Sequence, residues 1–341
     1  MKKVIFALAA VVALAACSKE QTVSFDKGAA IGFDTFVDNA TRVDPSLTKE
    51  TMKNVGFGVY GFVTNSGVTA PLFTNEEIYW TDDKGWTYDV KQYWIDGATY
   101  DFAAIAPYGE YDVTAAGRNG VTLGFENDGI TDLLYAQNNE APHTTVGFTF
   151  KHLLSKVKFT FENKYDATNT VIAVKGINIT NAYSEGTAEL SRDTNGVTAV
   201  WTPTDATNTR NLAFGDAVNA GNYIAQTESA SSANSLLLIP TASTTYNVEF
   251  TIELLYQTGV DGNDNPVYEK LTGYAHSVSL THDFEFGKSY NVATTIDYTN
   301  IVPDDPTTPE DDKQKTIEFT VDAINEWVDG DDAGVVFPEN N

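Results

Sequence analysis

Apolar and polar side chains alternate with a period of two through much of this chain. Val157, Phe159 and Phe161 alternate with Lys156, Lys158 and Thr160. Val248, Phe250, Ile252 and Leu254 alternate with Asn247, Glu249, Thr251 and Glu253, and Tyr290, Val292, Ile296 and Tyr298 share one parity against Asn291, Thr295 and Asp297. Near the end, Ile317, Phe319, Val321 and Ala323 face away from Glu318, Thr320 and Asp322. Successive side chains of extended backbone point to opposite faces, so each run predicts a half-buried strand. Leu236 to Ile239 is wholly apolar and predicts a central strand, while Asp82-Asp83-Lys84-Gly85 and Asp261-Gly262-Asn263-Asp264-Asn265 are turn signals. No segment sustains a helical period, and Ser46 to Lys53 is expected to give a couple of helical turns. Many short strands separated by turns indicate an all-β protein of sandwich type.

A length of 341 residues suggests two such modules. The polar, Pro-containing Asn138–Thr145 segment is the expected break, giving sandwiches over 30–142 and 143–300. A second connector over 301–315 contains Pro303-Asp304-Asp305-Pro306-Thr307-Thr308-Pro309, which cannot continue a ladder. A well-patterned strand follows it in the 316–341 segment. That strand is expected either to fold back as the last strand of its own domain or to serve another molecule.

The first residues bear on compartment. Lys2 and Lys3 precede an apolar run from Val4 to Ala16, too short to span a bilayer as a helix. This is the layout of a secretory signal, expected over 1–16. Leu14-Ala15-Ala16-Cys17 resembles the bacterial lipobox, so Cys17, the single cysteine, is the expected lipidation site. A linker over 17–29 follows, in which Ser18-Lys19-Glu20 resembles the tags of lipoproteins sent to the outer face of the outer membrane. Attachment to the membrane is therefore expected through lipid. With no second cysteine there is no disulfide, and stability must come from burial. The chain has 21 basic and 47 acidic residues, a net charge of −26. That balance argues against nucleic acid as a partner.

Several segments together resemble the fimbrillin family, the type V pilins and related Mfa-like surface lipoproteins of Gram-negative anaerobes. The residues that carry this are Phe148-Thr149-Phe150-Lys151-His152-Leu153-Leu154-Ser155-Lys156-Val157, Tyr79-Trp80, Tyr100 to Tyr108, Asp132 to Ala136, and Glu326-Trp327. The resemblance implies two tandem transthyretin-like β-sandwich domains in a subunit of a surface fimbria at the cell outer membrane, with a role in adhesion. It implies other fimbrial subunits, self or accessory, as partners, and an unidentified host or bacterial surface ligand. In assembling members a protease cuts after a basic residue near the N-terminus and removes the first strand, and a C-terminal strand from another subunit fills the groove. Residues Ala30 to Val37 supply a first strand. Arg42, the only Arg before Arg118, is the candidate cut site, with an ordinary loop residue as the alternative. Ile317, Phe319, Val321 and Ala323 form the candidate donor strand, joined by Val335, Val336 and Phe337 as a further possibility. A monomeric surface lipoprotein binding glycan or protein on the same fold is the alternative function, with Trp80, Trp86, Tyr88, Tyr93 and Trp94 as its sugar-stacking candidates.

Catalytic, cofactor and metal chemistry finds little support. His143, His152, His276 and His282 have no zinc-type spacing, and His152 reads as structural. His276 and His282 flank a strand-like stretch and could approach each other. No Gly-x-Ser-x-Gly elbow or phosphate loop occurs; Gly56 and Gly58 sit in a strand pattern. Asp261-x-Asn263-x-Asn265 resembles the start of a calcium loop, but a hairpin tip explains the same residues. The expectation is a protein without catalytic residues, metal or cofactor.

Overall fold

A computed structural model describes residues 28–37, 47–141, 143–204, 207–301 and 317–324. Cys17, Arg42, most of the acidic connector and Val335–Phe337 lie outside those residues. The first ten strands are β1 (Phe33–Val37), β2 (Phe57–Asn65), β3 (Val68–Thr81), β4 (Gly85–Thr87), β5 (Thr99–Ala106), β6 (Asp112–Gly117), β7 (Gly120–Glu126), β8 (Leu134–Asn138), β9 (Val146–His152) and β10 (Ser155–Asn163). Then come β11 (Thr170–Tyr183), β12 (Glu185–Asp193), β13 (Gly196–Pro203), β14 (Thr209–Ala217) and β15 (Ser229–Ser231). The last are β16 (Leu236–Leu238), β17 (Thr241–Val260), β18 (Pro266–Phe284), β19 (Ser289–Ile296) and β20 (Thr320–Ile324).

The protein is nearly all β, as the alternation predicts. Helix α1 (Lys49–Val55) begins slightly later than expected, at a capping box in which Thr51 N–H donates to Thr48 Oγ1. It ends at Gly56, whose φ of +64° suits glycine, so this glycine caps a helix and the strand starts at Phe57.

The described strands form four sheets. Seven strands form the first, in the order β1-β9-β8-β5-β2-β3-β4. The second runs β15-β10-β19-β20, with β16 also on β10; the third runs β14-β11-β17-β18 and the fourth β13-β12-β7-β6. Sheets two and three sandwich a core containing Phe159, Phe161, Phe214, Phe250, Ile252 and Val292. The central strands β5 and β8 of sheet one are buried on both faces. Along β5, Phe102, Ala104 and Ala106 enter one aromatic-rich cluster, while Ala103 and Ile105 enter another.

Three sequence expectations change in the tertiary structure. The Asn138–Thr145 segment does not separate two sheets: it joins β8 to β9, neighbours in sheet one. The passage from sheet one to sheet two is Leu153–Leu154 instead, both fully buried. Leu236–Leu238 is apolar on both sides, yet among the described strands β16 pairs with β10 alone. It is apolar because it lies between two cores: Leu236 and Leu238 enter the second sandwich, and Leu237 and Ile239 the cluster shared with sheet one. Strand β19 is buried along its whole length, including the expected polar positions Asn291 and Thr295, whereas Tyr298 falls in a 3₁₀ turn and is exposed.

Sheet four is drawn from both halves of the chain. Strands β6 and β7 come from the N-terminal half and β12 and β13 from the C-terminal half, with Ala188 opposite Leu123 and Leu190 opposite Val121. Its apolar face covers Tyr60, Ile105 and Tyr135 of sheet one. Fully buried Asn127 completes the seam: its N–H donates to the Ser184 carbonyl at 2.7 Å, and its Nδ2 to the Leu237 carbonyl at 3.1 Å. Trp201 Nε1 donates to the Leu153 carbonyl at 2.8 Å.

Because a backbone ladder and a common core join the halves, they are expected to unfold together. Scanning calorimetry should give one transition. Asn127→Ala, which strands buried carbonyls, should lower stability by about 2 kcal/mol without splitting it. Two separate transitions in the unmodified protein would refute the shared seam as a stabilising element.

Candidate functional site

The two terminal strands and the grooves they fill form the candidate site. Strand β1 is the outer strand of sheet one and runs parallel to β9, with Phe33 beside Val146, Thr35 beside Phe148 and Val37 beside Phe150. A parallel arrangement requires these two strands to be distant in sequence, so β1 is held to β9 by the ladder and by its side chains. Phe33 does most of this: its ring lies 5.7 Å from Phe73 and from Tyr88, and 5.8 Å from Phe102 and from Phe148. Ile31 is buried beside it. The chain before β1 is pinned to a loop, with Ile31 N–H donating to the Gln92 carbonyl and Trp94 N–H to that of Ala29. Tyr88 Oη donates to the Ile31 carbonyl at 2.8 Å.

Arg42 lies five positions beyond β1, outside the described residues. On the far side of it the chain is anchored again. Buried Asp132 accepts the Leu47 N–H and His152 Nδ1–H on the same oxygen, each at 2.8 Å. His152 is therefore a buried strand residue that positions the chain after Arg42, in line with its structural reading.

At the other end, β20 lies antiparallel on β19, with Val321 opposite Val292 and Ala323 opposite Tyr290. The candidate donor strand thus occupies an edge of its own sandwich. Ile317 is buried and Phe319 packs within 5.7 Å of Phe159 and 6.2 Å of Phe250, but Phe319 and Val321 are only partly buried. Thr294 Oγ1 donates to the Glu318 carbonyl at 2.6 Å.

Other candidates are dispersed. Trp86, Tyr88 and Trp94 belong to the core of the first sandwich, and Trp80 packs edge-on against Trp86 under the Lys53 ammonium. Only Tyr93 of that set is exposed, so no flat aromatic platform results. His143 stacks on Trp94, and His276 stacks on Phe250. His276 and His282 do not meet: they lie six positions apart along β18, about 20 Å. Burial pushes the pKa of each below its ordinary value. Asp261 is occupied by its own turn, accepting the Asn263 and Asn265 N–H groups and Asn265 Nδ2. Those bonds hold its carboxyl below the usual range and make the loop a hairpin tip between β17 and β18.

Truncating Phe33 empties the centre of the β1 groove. Phe33→Ala is expected to cost about 3 kcal/mol in urea unfolding, and Phe319→Ala, from its partly buried seat, clearly less. Equal losses at the two positions would contradict this ranking of the seats.

Comparison with known proteins follows the same lines. Residues 41–327 match the family described as fimbrillin-like. The fimbrium subunit Fim1C of Phocaeicola vulgatus is 29% identical over 226 residues, covering 54% of this chain; the match spans 59% of the length of that curated relative. Among solved structures, a putative cell adhesion protein from Bacteroides ovatus aligns with a TM-score of 0.46 and 13% identity over 89% of this chain and 99% of that one. The fimbrial anchor protein Mfa2 from Porphyromonas gingivalis aligns with a TM-score of 0.31 and 8% identity over 87% and 97%. With its family match running through both sandwiches, the chain belongs to the fimbrillin-like family.

Proposed function

We propose that the chain is a structural or accessory subunit of a surface fimbria, exported as a lipoprotein on Cys17 and assembled by strand donation, with a role in adhesion. The observation that carries this reading is that its two terminal strands are interchangeable in pattern. At alternate positions of the sequence, β1 and the residue pair before it read Ile31, Phe33, Thr35, Val37; the C-terminal strand reads Ile317, Phe319, Val321, Ala323. Both are outer strands of a sheet, and each puts its Phe among three or more rings.

The energetics favour transfer. Cleavage after Arg42 leaves β1 held by non-covalent contacts alone. A donated strand then completes the bare edge of β9, main-chain bonds giving affinity and alternate side chains filling pockets. In its own sandwich Phe319 is partly buried, whereas the corresponding Phe33 position is 6% exposed. Moving a Phe side chain from the first environment to the second gains on the order of 1 kcal/mol of burial. The Pro-rich segment before β20 cannot pair in a ladder and gives reach: about 3.3 Å per residue when extended. Such a contact is heterologous, joining one end of a subunit to the other end of the next, and it grows into a filament when it does not close.

The curated relative is named as a fimbrium subunit, in keeping with this reading. The net charge of −26 keeps isolated subunits from associating indiscriminately. The glycan-platform alternative loses its main support because three of its five aromatic residues are core residues.

The test is to treat the detergent-solubilised full chain with an arginine-specific protease and follow its size under denaturing conditions without boiling. Heat-sensitive ladders that require Arg42, and vanish in Arg42→Ala, are expected. Clean cleavage after Arg42 with the protein remaining monomeric would refute self-assembly by strand donation.

A further inference from the structure

One side chain on the core-facing side of β1 is chemically out of place. Thr35 is 0% exposed, sits in register with Phe148, and its Oγ1 has no hydrogen-bond partner. Its neighbours on that face, Ile31 and Phe33, are apolar and enter the aromatic cluster. A buried hydroxyl that has given up water and gained nothing is destabilising, while an apolar group of the same shape carries no such penalty.

We propose that Thr35 makes β1 the weaker of two possible occupants of its groove, and that the groove selects an aliphatic, β-branched side chain at this position from a second copy of the chain. The inference rests on the strand-donation reading and adds what drives the exchange in one direction. When Ile317 takes the Ile31 position and Phe319 the Phe33 position, Val321 falls on Thr35. Valine has the branched shape of threonine with a methyl in place of the hydroxyl, so it fills the same space without an unpaired polar atom. The residue between also fits. Glu318 would replace Gly32, where an added Cβ has only Thr145 Oγ1 within 4 Å, at 3.8 Å. The match stops upstream: a Cβ at Gly28 would come 2.4 Å from the Trp94 carbonyl oxygen. The incoming chain must therefore leave the groove before that point, where Gln314 and Lys315 already belong to its connector.

β1 would thus be a placeholder strand: sound enough to fold the subunit, yet carrying one defect that the donated strand lacks. The groove would also hold less tightly a strand with Ser, Thr or a charged residue at the Val321 position, a simple basis for partner choice.

The experiment follows two quantities in the full chain after Arg42 cleavage: the lifetime of the released N-terminal fragment on the subunit, and the rate of ladder growth. Thr35→Val should leave cleavage unchanged, raise the thermal unfolding midpoint of the uncut protein and lengthen the fragment's lifetime roughly tenfold. Val321→Thr, at a half-buried site in its own sandwich, should leave folding intact and slow ladder growth by a similar factor. An unchanged fragment lifetime in Thr35→Val overturns the inference even where ladders grow. A lengthened lifetime with no ladder in any variant upholds the weak seat and refutes strand donation instead.

Discussion

The backbone groups along a sheet edge, and the side chains beneath it, need a partner, and this chain supplies one at two edges from its own terminal segments. At the first edge β1 lies on β9 and drives Phe33 between four aromatic rings. At the second, β20 lies on β19 and covers Phe159 and Phe161 with Phe319. Edges left open are templates for pairing with other chains, and proteins cover or break them for that reason. Here each cover is the outermost described strand of its sheet.

The two covers differ in quality, and the difference has a direction. β1 sits in a deep groove but carries one polar group with nothing to bond. The segment of β20 puts apolar Ile317, Phe319 and Val321 on its core but sits in a shallower seat. A strand with the second's side chains in the first's groove would combine the better of each. What binds such a strand is the same chemistry that folds the subunit: a ladder of amide hydrogen bonds and alternate side chains in apolar pockets.

The two halves of the chain are also joined to each other. The seam does this with a backbone ladder between β7 and β12 and a core common to both halves, fastened by Asn127. A hinge between independent sandwiches would have had neither. The polar Asn138–Thr145 segment that looks like a linker is a short connection within one sheet, because β9 must return to lie between β8 and β1.

Local alternation determined a great deal. It determined the all-β class, the inward sides of β10 and β17, and the core-facing Ile317, Phe319 and Val321 of the last segment, because period two is set by the pleat of each strand alone. Turn chemistry likewise marked the hairpin tips. What sequence could not reveal is which strand lies beside which. Pairing across more than a hundred residues is decided by how faces fit in three dimensions, so the parallel β1–β9 contact, the shared fourth sheet and the double-sided burial of β19 appear only in the tertiary structure. The groove's weak point was hidden for the same reason. Threonine is an ordinary strand residue, and only the packing around Thr35 shows that its hydroxyl has been buried without a partner.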